Sequence, residues 1–153
     1  MRSSVDVHNY LIERDVRHEL FTVRGRLRTP ERLAAVLELP SEQVGRVVLY
    51  ETDEEPVAAL VPSDRAPDPK RVKDAVDTEE LRQASASRAS ELSDFIPDAI
   101  PPVALPPKFR ILMDRALAKQ EVVYFHGGDS TAVLKIRGRD LARASGATIV
   151  DLA

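Results

Sequence analysis

The stretch that most limits how this chain can fold runs from Gln43 to Arg65, QVGRVVLYETDEEPVAALVPSDR. Two β-branched runs, Arg46 to Thr52 and Pro56 to Val61, flank the acidic tract Asp53-Glu54-Glu55, which is the composition of a hairpin. Both runs are dense in Val, Leu and Ala, so they are expected in the middle of a sheet rather than on its edge. Arg46 departs from that pattern, standing between Gly45 and Val47 at the mouth of an otherwise apolar strand. Two readings of it are open: a surface cation whose stem snorkels, or a group aimed into a pocket.

Local signals place the remaining elements. Ser3 or Ser4 can cap a helix over Val5 to Asp15, with Val5, His8, Leu11 and Ile12 along one face. Arg17 to Val23 alternates like a strand. Thr29-Pro30 is a helix start, a capping hydroxyl followed by proline at the first helical position, with Leu33, Val36 and Leu37 as its buried stripe; Pro40 stops it. Pro69 to Val76 reads as a helix, Leu81 to Ala86 as a brief strand, and Ser87 as the cap of a helix to about Leu92. From Asp94 to Lys108 five prolines fall within DFIPDAIPPVALPPK, which can form neither a ladder nor a helix interior. Interleaved Phe95, Ile96, Ile100, Val103 and Leu105 indicate a stiff loop that packs down rather than a free linker. The last third reads strand, helical turn, strand, strand, helix, strand, with Gly127-Gly128-Asp129-Ser130 joining two strands and Gly146 ending the helix. The expected class is α+β: a single domain over residues 1–153, with a curled, barrel-like mixed sheet and helices packed around it.

Composition narrows the chemistry. There are 153 residues and no cysteine, so disulfides, thiolate metal sites and a cysteine nucleophile are excluded. His8, His18 and His126 are the only histidines, and none lies at ligand spacing from another, so neither a metal nor another cofactor is expected. A net charge of −3 argues against coating duplex nucleic acid by bulk electrostatics. It leaves room for local basic patches: Arg24, Arg26, Arg28 and Arg32; Lys70, Arg71 and Lys73; and Lys135, Arg137, Arg139 and Arg143. For each patch ordinary solvated charge is the competing explanation. The N-terminal MRSSVDVHNY has no apolar signal core and the apolar runs are strand-length, so no membrane association and, by default, a cytoplasmic location are expected.

The order of motifs is also informative. A TPERLAAVLELP helix is followed by QVGRVVLY, a strand ending ALVPSDR, a loop ending IPPVALPP, then RILMDRAL, VVYFHGGDSTAVLKI and RDLARASGATIVDL. This succession, from about Tyr10 to Leu152, resembles the YbaK-like family, the editing domain associated with prolyl-tRNA synthetase and its free-standing relatives. The resemblance implies a free-standing aminoacyl-tRNA deacylase that hydrolyses the ester of a mischarged tRNA, a hydrolase of translation fidelity. Its partner would be the tRNA acceptor end, with a synthetase as a further possible partner. The implied chemistry is substrate-assisted and uses no metal, relying on positioning and preorganised dipoles. The alternative is a catalytically degenerate member that binds a tRNA, a small ligand or a protein without turnover.

The resemblance also nominates residues. Arg46 stands where the family typically has a lysine, so it takes the catalytic position, with a guanidinium fork in place of a compact ammonium; an ion pair with Glu42 or Asp53 is the other reading. Pro102 matches the proline of the family's loop, while Asp98 replaces a glycine there and Ala104 stands where a second glycine is common. Gly127, Gly128 and Ser130 correspond to the turn beside the substrate pocket. Each has a purely structural alternative: loop stiffening for Pro102, a hairpin turn for the glycines, a local turn hydrogen bond for Ser130. His126, next to the glycine turn, is read as structural, with orientation of a water as its alternative, and Asp98, close to the expected pocket, as a carboxylate that is solvated or bound to a backbone amide, with a general base as its alternative.

Overall fold

Ser3 begins the first helix as a reciprocal cap. Its hydroxyl accepts from the Val5 N–H, and Asp6 reaches back to the Ser3 N–H at 2.8 Å. The computed structural model describes residues 1–153. In chain order the helices are α1 (Ser4–Glu13), α2 (Pro30–Val36), α3 (Pro69–Val76), α4 (Ala86–Ser93), α5 (Arg115–Ala118) and α6 (Gly138–Ser145). The strands are β1 (Glu19–Thr22), β2 (Gly45–Glu51), β3 (Val57–Pro62), β4 (Arg82–Gln83), β5 (Arg110–Asp114), β6 (Val122–His126), β7 (Ala132–Arg137) and β8 (Thr148–Val150). Short 3-10 turns occupy Ser41–Gln43 and Pro97–Ala99.

The expected hairpin is β2–β3, antiparallel with Arg46 opposite Val61 and Val48 opposite Ala59. It lies inside a five-stranded sheet of order β4-β2-β3-β5-β8, mixed because β3, β5 and β8 run parallel. β3 is buried along its whole length because both faces of this sheet are covered. Ala58 and Leu60 enter the main core with Val7, Leu11, Phe95 and Phe125. Val57, Ala59 and Val61 pack on the other side with Val72 of α3 and Leu152. The second sheet, β1-β7-β6, is antiparallel and has three strands. α2 covers its outer face through Leu33 and Ala34, which meet Leu27, Val44 and Val133.

The α+β class and the mixed sheet are as expected, but the barrel-like curl is not. The strands form two open sheets, joined in the ladder sense only by an isolated parallel bridge between Val44 and Tyr124. One close contact marks the place where the two sheets meet. The Phe125 ring lies over Gly45 so closely that a Cβ built on Gly45 would come within 1.9 Å of it. A Cβ leaves a strand perpendicular to its hydrogen-bonding direction, so the ring packs on the face of β2 at Gly45, in the space a side chain would fill.

Two apolar faces also differ from expectation. α1 turns Val7 and Leu11 inward and leaves Val5 and Ile12 largely exposed, while α2 exposes Val36. His8 is on the exposed side of α1, bonded to His18 at 2.9 Å. No helix is long and apolar enough to cross a membrane.

Candidate functional site

A cleft of about 210 Å³ opens where the two sheets meet, and each wall has a local cause. Thr29 accepts the Arg32 N–H and starts α2 at Pro30, which brings Arg28, Thr29 and Pro30 to one rim. Gly45, Arg46 and Val47, the first residues of β2, form the floor. The proline-rich loop supplies Pro97, Asp98 and Ile100, and β6 ends in the cleft with His126.

The backbone of β2 contributes as well as its side chains. The Leu49 carbonyl accepts from Ala84 just beyond β4, so the N–H and C=O of Leu49 face the β4 side. Strand alternation turns those of Val47 the same way. β4 spans only Arg82–Gln83 and pairs with Tyr50 and Glu51, so the Val47 amide faces the cleft beyond the end of that pairing.

Arg46 is held from two directions. Its Nη2 donates to the Ser63 carbonyl at 3.0 Å and forms an ion pair with Glu31 of α2. Neither Glu42 nor Asp53 is its partner. The Arg46 Nε is sealed from solvent with no acceptor. A buried donor without a partner costs about 1–3 kcal/mol, and such a residue calls for an explanation in its surroundings.

His126 is 5 % exposed, and its Nε2 bonds the Leu27 carbonyl at 2.7 Å. Only an N–H can donate to a carbonyl, so the neutral ring carries its proton on Nε2 and keeps a lone pair on Nδ1. Burial pushes the imidazole below the usual histidine pKa, against the opposing pull of the Leu27 hydrogen bond and the Asp98 charge. A neutral imidazole, a guanidinium and an outward-facing strand amide therefore line one hollow. No group of three or more His, Cys, Asp or Glu is placed to hold a metal ion.

The residues nominated from the sequence do not all share this hollow. Arg46 lines it. Gly127 and Gly128 directly follow His126 and are buried, but they act on the walls: the Gly128 N–H bonds the Ala99 carbonyl at 3.1 Å, tying the turn to the proline-rich loop. Gly128 has φ +98°, and a Cβ there would meet the Ser3 backbone at 2.9 Å, so both conformation and space require glycine. Ser130 gives its carbonyl to the Leu27 N–H at 2.7 Å, fixing the segment whose own carbonyl holds His126. Pro102 lies elsewhere, in a crevice of about 100 Å³ with Tyr10 and Phe109. His126 and Asp98, for which the sequence favoured structural or solvated roles, line the cleft, and Gly45, to which the sequence gave no role, lines it as well. The signal for His126 was its place at the last position of a strand, directly before a glycine turn.

Fold and cleft together define a two-sheet α+β domain with a polar, partly enclosed site at the junction of its sheets. The chain belongs to the aminoacyl-tRNA editing domain family, whose model matches residues 25–144. No curated protein matches it at a significant level. Among solved structures, it is similar to the hypothetical protein APE2540, with 26 % identity, a TM-score of 0.91 and coverage of 96 % of this chain and 98 % of that one. It shares its fold with a putative trans-editing enzyme for prolyl tRNA synthetase, at 21 % identity, a TM-score of 0.88 and coverage of 99 % and 97 %. A putative signal transduction protein from Marinobacter aquaeolei VT8 carries the same fold in 30 % of its length, at 16 % identity and a TM-score of 0.69 over 97 % of this chain.

Proposed function

We propose that this protein is a free-standing aminoacyl-tRNA deacylase, one editing domain acting in the cytoplasm on the acceptor end of mischarged tRNA. The observation that carries the reading is the convergence of Arg46, the Val47 amide and a neutral His126 on one small cleft, in a chain of the editing family. The cleft is below the usual range of about 300–1,000 Å³ for drug-sized ligands, which suits a small aminoacyl group.

In this reading the ester carbonyl lies against the Val47 N–H and the Arg46 guanidinium, donors that stabilise the oxyanion formed when water adds to the carbonyl carbon. The lone pair on His126 Nδ1 accepts a hydrogen bond from the attacking water or from the substrate's α-amino group. The ester C–O bond then breaks, the released ribose oxygen takes up a proton, and the amino acid leaves as its acid. Gly127, Gly128 and Ser130 keep the His126 turn and the Arg28 segment in place, and Pro102 stiffens the loop that carries Asp98. Arg24, Arg26, Arg28 and Arg32 are exposed and belong to no ion pair, so they offer the tRNA backbone a basic rim beside the cleft.

One observation favours the second reading, a family member that binds without turnover. The Arg46 guanidinium is already engaged by Glu31 and Ser63, and a ligand has to displace or join those partners. A deacylation panel separates the two: tRNAs charged with alanine, serine, cysteine, threonine and proline, tested against the wild type, Arg46→Lys and Arg46→Ala. Hydrolysis of a small aminoacyl ester is expected, with kcat reduced by about 100-fold in Arg46→Ala and partly retained in Arg46→Lys. Tight tRNA binding with every ester left intact would establish the binding module, and full activity in Arg46→Ala would move the site elsewhere.

A further inference from the structure

Asp98 brings the only carboxylate to the cleft between the sheets. It sits in the 3-10 turn Pro97–Ala99, and the carbonyl of fully buried Ala99 accepts from the Gly128 N–H at 3.1 Å. The turn that carries Asp98 is thereby fastened to the one that follows His126. Asp98 is itself exposed, belongs to no ion pair, and its carboxylate accepts no hydrogen bond from the protein. Its charge still reaches His126, whose pKa it pulls upward against the effect of burial. His126 Nδ1 also lacks a protein partner and is not sealed from solvent. Two acceptors with nothing to accept therefore share one hollow.

The rest of the cleft limits what can satisfy them. Arg46 and the Val47 amide are donors, suited to a carbonyl oxygen. One carboxylate and one imidazole are too few protein ligands to hold a metal ion. An ammonium meets the requirement, because it carries three N–H donors and its charge strengthens the bond to a carboxylate. In about 210 Å³ little separates the donors for a carbonyl from the acceptors for an ammonium, so the two groups have to stand on neighbouring atoms. That is the arrangement of an α-aminoacyl group. With a glycine in place of Asp98, as the family's loop typically has, no side chain would be present to make this selection.

We infer that Asp98 is the specificity-determining residue of the cleft: it selects an acyl group with a free α-ammonium, which it holds together with His126 Nδ1 while the carbonyl faces Arg46 and the Val47 amide. The cleft takes aminoacyl esters and turns away the matching hydroxyacyl esters. The inference rests on the deacylase reading for the ester, but not for the ammonium. Preference for a small α-ammonium is a property of Asp98 and His126 whether or not any ester is hydrolysed.

The test uses alaninamide and lactamide, which differ only in an amino group against a hydroxyl, as probes on the full chain at pH 7, followed residue by residue by NMR. Alaninamide is expected to shift the signals of Asp98, Ile100 and His126 saturably and to bind on the order of tenfold more tightly than lactamide. Asp98→Asn is expected to bring the two affinities together, and Asp98→Glu, which keeps the charge, to restore part of the preference. In parallel, tRNA charged with alanine and the same tRNA carrying a lactyl ester are given to each protein. The ratio of their kcat/KM values is expected to fall on the order of tenfold in Asp98→Asn. Absence of alaninamide shifts at those residues, or a preference for alaninamide that Asp98→Asn leaves intact, would overturn the inference. An amine preference lost in Asp98→Asn, with no ester hydrolysed by the wild type, would sustain the selection and remove the deacylase reading. Hydrolysis of the alanyl and lactyl esters at equal efficiency by the wild type would remove the selection and leave the deacylase reading standing.

Discussion

In the proposed mechanism His126 is structural and chemical at once. Its Nε2–H bond to Leu27 holds the segment between β1 and α2 against β6, and the same bond leaves Nδ1 as an acceptor on the cleft side. Because burial lowers its pKa in the folded state, the unfolded chain binds a proton more readily. The stabilisation from keeping His126 neutral is therefore present above the unfolded value of about 6.5 and is lost as pH falls through the lower folded value. Urea unfolding between pH 7.5 and pH 5 is expected to show stability falling across this window. His126→Asn, which can keep a donor to the Leu27 carbonyl but does not titrate, is expected to flatten that fall. An equal slope in both proteins would show that His126 does not carry the effect.

At the scale of elements, local chemistry was readable and long-range contact was not. The Thr29-Pro30 start of α2 and the span of α3 are written in caps and prolines that act within one turn, and both appear where the sequence placed them. The α1 face was right at Leu11 but wrong at Val5, His8 and Ile12, because a stripe through Val7 and Leu11 is equally compatible with helical spacing and only the neighbouring core selects it. Barrel closure was misjudged for a related reason: whether β6 pairs with β2 beyond the Val44–Tyr124 bridge is a long-range matter, and no spacing within either strand records it. The same limit separated Pro102 from the cleft, whereas Asp98, expected close to the pocket from its place in the proline-rich loop, does line it. Gly45 is the sharpest test at this scale. Gly45→Ala forces a methyl into the Phe125 ring and is expected to destabilise the protein by about 2–3 kcal/mol in chemical denaturation. Phe125→Leu in the same chain should recover part of that loss, so the double mutant is expected to fall short of the sum of the singles by about 1 kcal/mol. Strict additivity would mean the ring is not what excludes the side chain.

For the whole molecule, a net charge of −3 and a proposed nucleic-acid partner are compatible only if the cations are concentrated where that partner lands. Arg24, Arg26, Arg28 and Arg32 lie within nine residues of one another in sequence, and Arg28 reaches the cleft. Replacing Arg24, Arg26 and Arg32 together by alanine is expected to weaken tRNA binding and to lower the slope of log K against log salt by about 2, with the Arg28 wall of the cleft left intact. An unchanged slope would place the tRNA on another face.

The cleft draws its walls from both hydrogen-bonded layers, Gly45 to Val47 from one and His126 from the other, although the layers share only a single backbone bridge. A molecule seated there acts as a rivet through a seam. Binding in the cleft and mechanical coherence are thereby linked: an occupant that touches both layers at once is expected to stiffen the seam between them.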